Sequence, residues 1–320
     1  MKRLLLVLAL IAVAISGCTE KGPADSVKSV SELKNLSQTS AENLTSYSVK
    51  STMLSTWKLN AGENVTSGKL STLTESTNSL SLVNLSGLKV HVNSTTDTRF
   101  ETPSMPENTS TANIDFYLIG NSTYMNEGNG NWSHLIDPRS AEEVWGPDRN
   151  NQVETLANSS SLSDLEALGS EAVNGEDAYK LKIVPGAGDS INLYNTAFSI
   201  AAKITNYPMS LPSINRTELN ETAKTEKTIW ISKTSFLPVK YESVMSFTMT
   251  PEIVGVLDTS KGQMMKLNQS IKLGAISVAI ETSDLYYDFD KPLNIIPPEQ
   301  ALSSPAVTPM QLMSQSGEQG

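Results

Sequence analysis

The sequence predicts an α+β domain. One strongly curved antiparallel β-sheet, an incomplete barrel, is covered by two to three helices. Three observations carry this. About ten short segments alternate apolar and polar residues with period two. Their connections are of hairpin length, which suits antiparallel pairing rather than strand–helix–strand crossovers. Few stretches repeat apolar residues at helical spacing, too few to cover so many strands unless the sheet curls.

The elements follow in order. Val27, Val30, Leu33, Leu36, Ala41 and Leu44 recur at helical steps behind Ser26, a candidate N-cap, and predict a helix with one narrow apolar stripe. At Tyr47 the period changes to two. Val49, Met53, Trp57 and Leu59 share one face; Ser48, Lys50, Thr52, Thr56 and Lys58 share the other. Residues 69–75 form a weaker strand. Leu88, Val90 and Val92 then alternate with Lys89, His91 and Asn93, and Ile114, Phe116 and Leu118 with Asp115 and Tyr117. Turns at Gly120-Asn121 and at residues 128–131 lead to Trp132 and Leu135. Residues 139–157 read as helical. Val173 meets Tyr179, Leu181 and Ile183 across the Asn174-Gly175 turn. Residues 190–206 form the second good helix, with Ile191, Tyr194, Phe198, Ala201 and Ile204 at steps of three and four. Strands at 227–232 and 238–250 follow, the latter placing Val239, Tyr241, Met245, Phe247 and Met249 on one face; 267–282 and 285–289 close the series. Segments 211–223 and 251–265 read as insertions.

The ends carry an address. Lys2 and Arg3 precede an unbroken apolar run over residues 4–15, too short to span a bilayer and of signal-sequence length. It ends in Ile15-Ser16-Gly17-Cys18, which resembles the lipobox of prokaryotic lipoproteins. The resemblance implies cleavage before Cys18 and a lipid thioether on its thiol. The chain therefore divides into a signal peptide (1–17), a lipid-anchored tether (18–25), one domain (26–301) and a disordered tail (302–320). The expected location is the extracellular face of the cell membrane.

Composition narrows the function. The net charge of −10 excludes nucleic acid as a partner. One Cys and two His exclude an ordinary zinc site and an intrachain disulfide framework. Ser, Thr and Asn number 43, 29 and 24. Twelve Asn-x-Ser/Thr sequons begin at Asn35, Asn43, Asn64, Asn84, Asn93, Asn108, Asn121, Asn131, Asn158, Asn215, Asn220 and Asn268. About five would arise by chance, and the excess points to N-glycosylation, with Asn64, Asn93, Asn108, Asn121 and Asn220 as the leading candidates. The alternative is a hydroxyl-rich surface without glycans. Lipobox and sequons together lean toward an archaeal surface.

Chemistry is scarce. There is no Gly-x-Ser-x-Gly elbow, no Gly-x-Gly-x-x-Gly and no P-loop. Gly186-Ala187-Gly188 reads as a strand-to-helix turn rather than an anion cradle. His91 and His134 lack a nucleophile to activate and read as exposed residues. Asp284, Asp288 and Asp290 lack EF-hand spacing and read as a solvated strand end. Trp57, Trp132, Trp145 and Trp230 read as core rather than as a carbohydrate platform. No enzyme activity, metal or cofactor is expected.

Four passages, taken in order, resemble the LolA/LolB-like superfamily and above all its lipid-anchored LppX-type members. They are residues 44–50, Leu-Thr-Ser-Tyr-Ser-Val-Lys; the hairpin at 119–124 running to Trp132; residues 173–181 with 229–240; and residues 287–301, which begin Tyr-Asp-Phe-Asp-Lys-Pro. The resemblance spans roughly residues 33–301. It implies a curved, incomplete barrel plugged by helices, with a space for acyl chains. It supplies no catalytic residues. Soluble LolA lacks a lipobox, so a shuttling carrier does not follow.

Two functions stand open. One is a surface-anchored lipoprotein that binds lipid or another long apolar ligand between sheet and helices. Val49, Met53, Trp57, Tyr194, Phe198, Ala201, Tyr241, Met245 and Phe247 are the candidate cavity residues. Methionine suits such a cavity because it is pliable. The other is a structural, interaction or envelope-sensing glycoprotein with the same fold and a filled core. The partners expected are the membrane through Cys18, and lipids or another envelope protein.

Overall fold

The structure is a computed structural model that describes residues 28–59, 71–102, 105–146, 151–207, 209–258 and 261–308. The signal peptide, Cys18 with its tether, Ser26 and Asn64 lie outside the described residues.

Helix α1 (Val30–Glu42) opens the described chain. Its N-cap is Ser29, whose side chain accepts the Glu32 N–H at 3.2 Å. Leu33, Ser37 and Ala41 form its buried line. Six strands then run as a meander: β1 (Ser46–Leu59), β2 (Ser71–Asn84), β3 (Lys89–Thr102), β4 (Met105–Ile119), β5 (Ser122–Asn126) and β6 (Trp132–Ile136). Each pairs with the next, all antiparallel. The first four are longer than the sequence suggests. Their polar Ser/Thr stretches lack an alternating apolar signal but pair through the backbone all the same.

The helical stretch expected at 139–157 is two helices, α2 (Ala141–Trp145) and α3 (Gln152–Leu162). A reciprocal box between Ser140 and Glu143 caps α2. The hairpin β7 (Asp164–Val173) and β8 (Glu176–Val184) turns at Asn174-Gly175, both with positive φ, as a two-residue turn requires. Helix α4 (Ala187–Thr205) ends on Asn206 in the left-handed region. Strand β9 (Ser210–Ser213), helix α5 (Arg216–Thr222), β10 (Lys224–Ser232), β11 (Pro238–Met249), β12 (Glu252–Asp258), β13 (Gln263–Lys272), β14 (Ile276–Tyr287), helix α6 (Glu299–Leu302) and β15 (Ala306–Val307) complete the order.

Twelve strands form one sheet in the order β15-β6-β5-β4-β3-β2-β1-β14-β11-β10-β8-β7. The sheet is strongly curved and not closed, and the α+β class expected from sequence is borne out. The two segments read as insertions contribute a second, three-stranded sheet, β13-β12-β9. The expected strand at 267–282 is two strands in different sheets, parted at residues 273–275.

Registers fix which side chains share a face. Val49 lies opposite Tyr286, and Trp57 opposite Val278, which in turn faces Phe247. This inner face holds three apolar clusters. In the first, α1 and α3 pack together on Tyr47, Val49, Val83, Val90 and Leu118 through Ala41, Val153 and Ala157. In the second, α4 packs on Trp57, Phe247, Met249 and Ile276 through Leu193, Ala197, Ile200 and Ala201.

The buried side of α4 is rotated from the stripe read in the sequence. Ile191 is 64% exposed, and Tyr194, Phe198 and Ile204 are half-buried flanks. Two overlapping apolar stripes exist on this helix, and the packing partner selects between them. Ile229 and Ile231 are buried in the third inner cluster with Leu33 of α1, and Trp230 is buried as well, because the sheet also carries apolar cores on its outer face, here Val173, Ala178 and Val239. There Ile295 and Ala301, on the segment after β14, cover Tyr117 and Tyr124. Residues 302–308, expected to belong to a disordered tail, end α6 and form a strand; residues 309–320 lie outside the described residues. Ala306 and Val307 add a parallel strand to β6, opposite His134 and Leu135.

Candidate binding cleft

The two helical covers do not meet. Between α3 and α4 the inner face is open, and its register there runs Ser79, Ser51, Asp284, Tyr241 across four strands. Two adjoining cavities of about 410 and 550 Å³ occupy this gap and share Leu156, Ser159 and Tyr241. Toward α4 the lining mixes Leu162, Ile183, Val184 and Pro185 with Asp164, Asp189, Asn192 and Lys227. Leu162, the last residue of α3, is 90% exposed at the rim. Toward the first turn of α3 it mixes Leu156, Tyr241 and Tyr286 with Ser51, Gln152, Thr155 and Asp284. Apolar and polar groups therefore alternate along the whole cleft.

Its electrostatics are uneven. Burial pushes the Asp284 carboxyl above the ordinary carboxylate range, against hydrogen bonds from the Ser51 and Tyr286 hydroxyls. Burial and the nearby Asp284 push the Tyr286 phenol up in turn. Deeper in, burial also raises the Tyr47 phenol, whose oxygen accepts the Gln152 N–H at 2.9 Å. At the α4 end Asp189 pairs with Lys227. Burial alone would raise Asp189; the Lys227 ammonium and the Gly186 N–H, 2.7 Å away, outweigh it and hold the carboxyl down. The amide at this helix start is thus capped from within, as a turn rather than an anion cradle.

Of the nine candidate cavity residues, Tyr241 lines the cleft. Trp57, Phe247 and Ala201 are buried in the α4 cluster, with Tyr194, Phe198 and Met245 packed around them. Val49 belongs to the α1–α3 cluster. Met53 is 38% exposed between the two. The sequence read Asp284 as part of a solvated strand end and did not single out Ser51 or Lys227; the structure instead places Asp284 partly buried in the cleft. Asp284 did carry a signal: it shares strand parity with the buried Ile276, Val278 and Tyr286, so it occupies an inward position. Asp288 and Asp290 do belong to a strand-end turn. Asp288 pairs with Lys291, and Asp290 accepts the Thr45 N–H and hydroxyl. Among the described residues no cluster could hold a metal ion.

The histidines are not exposed, because the outer face is covered. Leu82, His91, Tyr117, Tyr124, His134 and Ala306 form one row of cross-strand neighbours. His91 stacks on Tyr117 at 4.1 Å and lies 2.7 Å from Asp115; His134 stacks on Tyr124 at 4.3 Å. Trp145 and Trp230 are buried like Trp57, Trp132 is half-buried, and no tryptophan platform exists among them. Of the sequons, Asn93, Asn108 and Asn220 are exposed. Asn121 is half-buried, and its amide nitrogen, the atom a glycan needs, donates to the Asp137 and Arg139 carbonyls.

No protein family profile matches the sequence, and no curated protein matches it. The fold is similar to several solved structures. Lipoprotein LppX from Mycobacterium tuberculosis is 13% identical, with 83% of this chain and 98% of that chain covered and a TM-score of 0.37. LprF from Mycobacterium bovis is 13% identical, over 84% and 96%, with a TM-score of 0.34. A LolA superfamily protein from Nitrosomonas europaea is 11% identical, over 87% and 98%, with a TM-score of 0.19. Among the described residues no helix is long and apolar enough to cross a membrane.

Proposed function

We propose that the protein is a lipid-anchored protein of the cell surface that binds an amphiphile in the cleft between α3 and α4. Cys18 carries the membrane lipid, and the exposed Asn93, Asn108 and Asn220 are the candidate glycan sites. The observation that carries the binding reading is the open cleft itself, whose lining offers apolar and polar groups side by side. An acyl or isoprenoid chain fits over Leu156, Ile183 and Pro185, and a polar head fits over Ser51, Asp284 and Tyr241. Each buried CH₂ would contribute about 0.8 kcal/mol. Native mass spectrometry of the purified protein, followed by lipid extraction, tests this. The expected result is one non-covalent lipid fewer on Ser159→Trp than on the wild type. Ser159 is exposed on α3 and borders both cavities, so the indole fills the cleft without entering the core. Wild-type protein without lipid, or equal lipid on both, defeats the reading. The close packing under α4, where Ala201 is 0% exposed, favours the second reading, an interaction or sensing protein with no ligand.

A further inference from the structure

A third cavity lies apart from the cleft and shares no lining residue with it. It measures about 280 Å³ and sits where the first turn of α1 crosses β7 and β8. Its interior is aliphatic: Val30 and Leu33 from the helix, Ala167 and Leu181 from the strands. Its remaining lining includes Tyr179 and two lysines, Lys28 and Lys233. The Lys233 ammonium stands 5.4 Å over the Tyr179 ring, and among the described residues it has no carboxylate within ion-pair distance. Lys28 is paired with Glu32 at 2.5 Å, so one positive charge of the three groups is left uncompensated. In a chain of net charge −10, an uncompensated cation beside an aliphatic cavity is a local reversal of sign.

We propose that this cavity is a second site, which takes one acyl chain of an anionic lipid and holds the head between Lys28 and Lys233. The aliphatic interior accounts for the chain. The two ammoniums account for the charge of the head, since each can donate charge-assisted hydrogen bonds to a carboxylate or phosphate. The bilayer as source rests on the proposed anchoring at Cys18. Cys18 precedes Lys28 by ten residues, a reach of at most about 36 Å when extended. The lysines are therefore confined to the neighbourhood of the leaflet that holds the anchor. An anionic lipid seated here would fix the orientation of the domain against the membrane, which a single point of attachment does not.

The experiment uses the mature-length chain, residues 18–320, carrying Cys18→Ser, which keeps every described residue and removes its own lipid. It is titrated with 11-dansylaminoundecanoic acid and with the methyl ester of that acid. Saturable binding of the acid is expected, weaker by about tenfold or more for the ester and for the double variant Lys28→Glu/Lys233→Glu. Both lysines are half-buried, and circular dichroism melting checks that the double variant is folded. The titrations are made on the Ser159→Trp background, whose filled cleft leaves this cavity as the site that is read. Equal affinity for acid and ester, or no loss in the double variant, overturns the proposal. Absence of binding on the Ser159→Trp background also overturns it, because any binding by the parent chain then belongs to the cleft. Flotation with phosphatidylcholine vesicles, with and without phosphatidylglycerol, separates the sources. Flotation that needs phosphatidylglycerol and both lysines supports a bilayer lipid. Probe binding without flotation supports a free fatty acid at the same site.

Discussion

Ala201 offers a sharp test of how α4 lies on the sheet. It is fully buried, in one cluster with Trp57, Phe247, Leu193 and Val278. Ala201→Trp would place an indole where no space exists, between ring systems already held in their rotamers. The helix cannot lift without separating Lys203 from Glu75, now 3.1 Å apart, and Arg216 from the Tyr194 ring, now at 4.2 Å. Overpacking of this kind costs about 1–3 kcal/mol. In a domain of this size each kcal/mol lowers Tm by roughly 2–4 °C, so a fall of about 2–12 °C is expected. Thermal unfolding followed by far-ultraviolet circular dichroism measures it. Ile191→Trp is the control; that side chain is exposed and the substitution should leave Tm unchanged. If Ala201→Trp melts like the wild type while Ile191→Trp is destabilised, the packed face of α4 has been misassigned and a void lies beneath the helix.

Other expectations follow from single residues. Cys18→Ser should move the protein from the membrane fraction to the medium, because a two-chain thioether lipid is enough for stable attachment and its loss leaves none; fractionation and immunoblotting read this. Asp284→Asn should stabilise the fold at neutral pH. Burial raises this carboxyl, so its ionised form weakens the folded state above the raised value, and that penalty fades as pH falls through it toward the ordinary range. Urea titrations should therefore show the gain near about pH 7 and none near about pH 3. Ser140→Ala removes the oxygen that accepts the Glu143 N–H at 3.2 Å and should cost about 0.5–2 kcal/mol in the same assay.

The strands announced themselves wherever one face was apolar and the other polar. Val49 and Trp57 on β1, and Phe247 and Met249 on β11, are inward as their alternation implies. The turn chemistry of Asn174-Gly175 was equally plain, since both residues adopt positive φ. Alternation failed in the middle of β2 and β3. There Thr77 and Thr96 face each other with hydroxyls 2.9 Å apart, and neither supplies an apolar signal. The cleft was harder to read for a related reason. It is defined by where α3 and α4 stop covering the sheet, which depends on helix placement and not on any local pattern. Lys227 and Asp189 stand 38 residues apart in sequence, and only the folded sheet brings them together. The three-stranded sheet was missed because β9 lies far before β12 in sequence, and β12 carries a near-continuous apolar run, Ile253 to Leu257, in place of an alternation.

Strand β1 has its two neighbours at opposite ends of the chain. One side pairs with β2, its immediate successor; the other pairs with β14, with Ser48 opposite Tyr287. Closing so long a loop costs entropy before any contact rewards it, and topologies of this kind fold slowly. A chain delivered from its N-terminus forms β1 to β6 early, as successive local hairpins, while the far edge of β1 stays bare until residue 287 is available. During that interval the bare edge is the place where a second chain could pair. Lys50 and Lys58 lie exposed on that strand, and such charges discourage edge-to-edge association. The seam between β1 and β14 is thus both the last joint to close and the one whose delay the sequence guards against aggregation.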